Sequence, residues 1–69
     1  MILTAEQIKR AWELNPDSLA HNMGLTLGDF GYGVTDEWVK AELTRLMAGE
    51  PAKGGPSMFL AHWIKEGID

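Results

Sequence analysis

The chain contains no cysteine. No disulfide can staple it, no thiolate can hold a metal or act as a nucleophile, and this usage fits a reducing compartment. Long apolar runs are also missing, and the longest falls far short of the ~20 residues that cross a bilayer as a helix. No apolar segment behind a basic start opens the chain, which goes straight into a capped helix, so no secretory signal is expected. Together these features predict a soluble cytoplasmic protein. Basic residues are few: Lys9, Arg10, Lys40, Arg45, Lys53 and Lys65 stand scattered against ten acids, for a net charge of −4. No basic stripe is available to track a phosphate backbone. His21 and His62 are the only histidines, far apart and without a ligand-spaced companion, so no metal is expected.

The 69 residues that are present make one domain, residues 1–69. A domain of this size buries only about 60% of its unfolded surface, so its stability is expected to be marginal unless something assists it. Three tryptophans and four methionines are many for this length. Part of that apolar content must be core; the rest is free to form an interface.

The clearest element runs from Val34 to Gly49. Thr35 is a good N-cap, and Val34 with Val39 makes a hydrophobic staple. Asp36 and Glu37 suit the positive end of the helix dipole, and Arg45 suits the negative end. Gly49 can take the left-handed position past the helix, and Pro51 prevents continuation. Val39, Leu43, Leu46 and Met47 form one buried stripe, while Trp38 projects roughly 100° to its side.

The flanking segments read as elements packed around this helix. Thr4 and Gln7 form a capping box, with Leu3 and Ile8 as its staple. Ile8, Ala11 and Trp12 give that first helix its buried side, with Leu14 near the edge. Asn15 and Pro16 are suited to cap and open a second, short helix with Leu19, Ala20 and Met23 on its apolar face. Gly24 is expected to stop it, with Leu25 folding back on Leu19 or Ala20. From Leu25 to Val34 the glycines Gly28, Gly31 and Gly33 predict an ordered loop, with Phe30 and Tyr32 tucked onto the core. Residues 50–56 read as a flexible connector. A last helix is expected over 57–66, with Ser57 as cap, Gly67 as stop and Ile68 folding back on Trp63. Its apolar arc of Phe59, Leu60, Trp63 and Ile64, widened by Met58, either sits deep in the fold or contacts a second chain. The prediction is an all-α bundle of three main helices plus one short helix, with a glycine-rich loop between the second and third. The likeness between Leu3-Thr4-x-Glu6-x-Ile8-Lys9 and Val34-Thr35-x-Glu37-x-Val39-Lys40 follows from shared capping chemistry without a duplication.

Specific chemistries find little support. A short helix followed by a long capped one outlines a helix-turn-helix, the principal alternative reading, but Asp36 and Glu37 would present carboxylates to DNA from the recognition helix. The glycines of 28–33 lead to a helix start, yet Asp29, Asp36 and Glu37 crowd it with negative charge and no Walker lysine follows. Asp17, Ser18 and His21 are triad letters without an oxyanion hole or a pocket. No enzyme, cofactor or metal is expected. Asn15-Pro16-Asp17-Ser18-Leu19, followed by Gly31-Tyr32-Gly33-Val34-Thr35-Asp36-Glu37, resembles the helical segments of Nif11-like leader domains, and Gly54-Gly55 resembles a leader cleavage site. The spacing between the segments is shorter, no cysteine follows to be modified, and no function is carried over.

What remains is protein binding. Tryptophan and tyrosine are the usual anchors of interfaces. The candidates are Trp38 off the central stripe, Phe30 and Tyr32 in the glycine-flanked stretch, and Met58, Phe59 and Trp63 on the last helix. Something must cover that helix, and in so short a chain a dimer partner is one candidate. The sequence reads as a small, non-catalytic protein-interaction or regulatory module, with a protein partner or a second copy of itself.

Overall fold

A computed structural model describes residues 2–69 of the chain. It is all-helical: α1 (Ala5–Leu14), α2 (Pro16–Asp29), α3 (Asp36–Met47) and α4 (Pro56–Glu66). The capping signals act as their chemistry dictates. The Thr4 hydroxyl accepts from the Gln7 N–H at 3.0 Å, and the Gln7 side chain accepts from the Thr4 N–H at 2.9 Å. The Asn15 side chain caps α2 through the Ser18 N–H, with Pro16 in the first turn, and Thr35 caps α3 through the Trp38 N–H. Val39, four residues past that cap, is fully buried, and Val34 packs beside the same core.

The second helix departs from the expectation. It was predicted to be short and to stop at Gly24; it runs 14 residues, the longest of the four, through both Gly24 and Gly28. The other three span 10, 12 and 11 residues, so three main helices plus a short one is not the arrangement. Burial decides the matter. A helical glycine costs about 1 kcal/mol relative to alanine. Continuing the helix carries Leu27 to zero exposure on the stripe of Leu19, Ala20 and Met23. That burial is worth roughly 1.5–3 kcal/mol, enough to offset both glycines. Leu25 falls to the side of that stripe and stays exposed, at the edge of a hollow that Leu19 and Met23 also line.

The true end of α2 is a Schellman motif around Gly31, whose φ is +93°. The Tyr32 N–H donates to the Leu27 carbonyl at 3.0 Å, and the Gly31 N–H to that of Gly28 at 2.9 Å. The link to α3 is therefore only residues 30–35, and of the three glycines expected in a loop only Gly31 and Gly33 lie there. Gly49 ends α3 by the same motif, with Glu50 N–H on the Arg45 carbonyl at 3.1 Å.

The core is drawn from every helix: Ile8, Leu19, Met23, Leu27, Val39, Leu43, Leu60 and Trp63 are buried together, with Ile68 from the chain end. Leu14 faces water. On the outside α2 is tied to α3 by a hydrogen bond between His21 Nδ1 and Asp36 at 2.8 Å and by a salt bridge of Lys40 with Asp17 at 2.7 Å. Gly67 stops α4 as expected, and Ile68, buried in the same core as Trp63, pairs with Leu3 instead of closing the helix end. Its N–H donates to the Leu3 carbonyl at 2.7 Å, and its carbonyl accepts from Leu3 at 3.1 Å, closing the two ends of the fold together.

Gly67 makes that closure feasible. It combines φ +90° with ψ 178°, and a Cβ there would stand 2.6 Å from the Leu3 carbonyl oxygen. Gly67→Ala should therefore cost about 3 kcal/mol, from backbone strain and the displaced clasp. Gly31→Ala, where a Cβ meets nothing within 4 Å, should cost about 1–2 kcal/mol. At ~4–8 °C per kcal/mol for a domain of this size, thermal melts followed by circular dichroism should separate the two variants plainly.

Candidate functional site

Five of the six side chains expected to bind a partner gather on one side of the molecule. Phe30 reaches there because the Schellman turn sets it at the end of α2, and Tyr32 follows two residues later. Met58, Phe59 and Trp63 come from α4, where positions 59 and 63 are one turn apart. The Phe30 ring lies 5.1 Å from that of Phe59 and 6.3 Å from that of Trp63. Phe59 meets Tyr32 at 5.5 Å and Trp63 at 5.9 Å, both edge to face. These are favourable aromatic geometries, each worth about 0.5–1.5 kcal/mol beyond burial.

The five are not equally available. Trp63 is core, 6% exposed. Tyr32 and Phe59 are half-buried, with Phe59 in the middle of the stack. Phe30 and Met58 are 59% and 60% exposed, the positions where this surface meets water. Phe30 does not tuck onto the core; its ring lies over the aromatic stack and leaves one side open. A shallow hollow of about 290 Å³ is bounded by Met58, Phe59, His62 and Trp63. Trp38 stands apart, lining a separate open hollow with Val34, Thr35 and Pro56.

A second constellation, which the sequence reading passed over, sits at the junction of α3, the connector and α4. Glu42 is 4% exposed. Arg45 holds it with two parallel hydrogen bonds, Nε to Oε1 at 3.0 Å and Nη2 to Oε2 at 2.9 Å. The Ser57 hydroxyl donates to the same carboxylate and accepts from the Lys53 N–H at 3.1 Å. Arg45 also reaches Glu50 at 3.1 Å and the Pro51 carbonyl at 3.2 Å. Ser57 thus acts inside α4 rather than as its cap; Gly55 precedes the helix and Pro56 opens it. The signal was in the spacing. Residue 42 lies three past Val39 and four before Leu46, within the stripe read as buried, and Arg45 follows on the next turn.

Hydrogen bonds from Arg45, and then from Ser57, pull the Glu42 carboxyl from 4.5 down to about 2 against the opposing effect of burial. Glu42 in turn raises Arg45 well above its ordinary value. A carboxylate held that low is a poor proton acceptor near neutrality. Among the described residues no buried side-chain nitrogen or oxygen lacks a partner. No group of three His, Asp or Glu side chains there is placed to hold a metal. His21 is engaged with Asp36, and the hollow beside His62 has no carboxylate in its lining. No described helix is long and apolar enough to cross a membrane.

Comparison of this chain with protein-family models, with curated proteins and with solved structures gives no match.

The buried pair has a measurable consequence. Its folded-state value lies below the unfolded one, so its contribution is complete above about 4.5 and is lost as pH falls toward about 2. Glu42→Gln should cost about 2–3 kcal/mol at neutral pH, because Arg45 loses its carboxylate but keeps Glu50 and Pro51. Urea unfolding of both proteins between these pH values should show the gap narrowing as the solution is acidified, since the wild type alone loses this contribution.

Proposed function

We propose that this chain is a small non-catalytic protein-interaction or regulatory module that binds through the face of Phe30, Tyr32, Met58, Phe59 and Trp63. The observation that carries the reading is the pairing of exposure with support. Phe30 and Met58 are more than half exposed, while the rings beneath them are packed against one another and into the core. Aromatic and methionine side chains on a rigid base give a partner large contact area at little entropic cost, the usual composition of binding hot spots. Exposed apolar surface in a chain this small is otherwise a liability for solubility.

A second copy and a different protein are two forms of the same reading. Nucleic-acid binding through α3 is the weaker alternative: Asp36 and Glu37 stand exposed at its N-terminus, and Lys40 is engaged by Asp17. The absence of cysteine supports a reducing, cytoplasmic setting.

A photoreactive phenylalanine analogue at position 30 tests the face directly in cells. Because the site is exposed, the replacement should leave the fold intact and give a discrete crosslinked species, lost when Met58→Lys is added. A folded protein that crosslinks only to bulk proteins without preference, and equally with Met58→Lys, would remove the reading. Sedimentation equilibrium over a wide concentration range then separates self-association from a foreign partner.

A further inference from the structure

We infer that the occupant of this face is a short basic peptide segment of another protein, with apolar anchors on either side of Phe30. The inference rests on the interaction reading above and names its partner class. Phe30 adjoins two hollows through its neighbours. One, about 290 Å³, is bounded by Met58, Phe59, His62 and Trp63, and Phe30 stacks on the Phe59 and Trp63 rings. The other, about 390 Å³, includes Ile2, Leu25, Thr26 and Ile68, and its lining reaches Asp29, the residue just before Phe30. Ile2 and Leu25 are 70% and 59% exposed, so this second hollow is also edged by uncovered apolar side chains.

Charge around the two hollows is mainly acidic, three carboxylates against one ammonium. Asp29 lines the second, and Asp69 follows Ile68 at its edge. Glu66 lies three residues past Trp63 and seven past Phe59, on the same side of α4. All three acids are exposed, and among the described residues none is engaged in a salt bridge; Lys65, seven residues past Met58, is the one base of α4 beside them. A partner that places lysine or arginine beside its apolar anchors meets complementary charge here.

The same features disfavour a second copy. A stable self-association buries about 800 Å² on each partner, nearly a fifth of the 4449 Å² surface of this chain. A two-fold contact sets the same patch against itself. The Asp29, Glu66 and Asp69 rims of two copies would then be brought together, with a net charge of −4 on each chain.

The test selects from a library of short random peptides displayed on phage against the immobilised full chain. Peptides with lysine or arginine flanking apolar anchors should be enriched. As synthetic peptides they should bind at least ~10-fold more weakly to Phe30→Ser, whose exposed site leaves the fold intact. Their affinity should fall about 3-fold or more with Asp29→Asn plus Glu66→Gln, and likewise as salt rises from about 50 to about 300 mM. Enrichment of neutral or acidic peptides that still need Phe30 would overturn the basic-peptide assignment and leave the interaction module standing. A concentration-dependent dimer that protects Phe30 and Met58 from a surface label would overturn it in favour of a second copy. A monomer that enriches no peptide at this face would overturn both.

Discussion

A buried carboxylate holds the second half of this molecule together. Glu42 gives up nearly all contact with water. It does so because three donors surround it, two from the Arg45 guanidinium and one from the Ser57 hydroxyl. Burying a charge without such partners would be prohibitive, and with them the cost is largely returned. The consequence is geometric more than energetic. Arg45 sits at the end of α3, where it also binds Glu50 and the Pro51 carbonyl, while Ser57 collects the Lys53 N–H. A stretch whose proline and glycine content reads as flexible is thereby held at several points, and the entry of α4 is set relative to α3.

The aromatic face depends on that placement from one side and on α2 from the other. Met58 and Phe59 follow directly after Ser57, so the contacts that seat Ser57 also seat them. Phe30 arrives from the opposite direction, carried by a helix that continues past two glycines to bury Leu27 and then turns at Gly31. Had α2 stopped at Gly24, Phe30 and Tyr32 would hang from a loop, and their rings would have no fixed relation to Phe59. The face therefore joins two elements that are distant in sequence, and its support is rigid even where its outermost rings are wet.

Much of the fold was legible in the chain. Caps at Thr4, Asn15 and Thr35, the stop at Gly67 and the left-handed turn at Gly49 act through hydrogen bonds among residues within one turn, and such chemistry is readable locally. The stripes of α1 and α3 were equally clear. What misled was local too. Gly24 and Gly28 carry a real propensity cost, but the burial of Leu27 offsets it, and that burial depends on where α3 and α4 lie. Of the candidate residues, Phe30, Tyr32, Met58, Phe59 and Trp63 lie together on one side of the molecule, while Trp38 lines a different hollow. Glu42 escaped because a carboxylate on an apolar stripe is read as an edge residue until its partners are known.

By itself, then, the order of residues determined that the chain is helical, where three of its four helices begin, where its last helix stops, and which side chains carry the apolar content. These follow from caps, periodicity and backbone preferences that act over three or four residues. Only the tertiary structure decided the length of α2, the burial of Glu42 against Arg45 and Ser57, the clasp of Leu3 with Ile68, and the meeting of Phe30 with Phe59 and Trp63. Each of these joins residues at least fifteen apart or weighs a local cost against burial by a distant helix. Such balances are settled by which surfaces exclude water together, and no short window of sequence contains both sides of them.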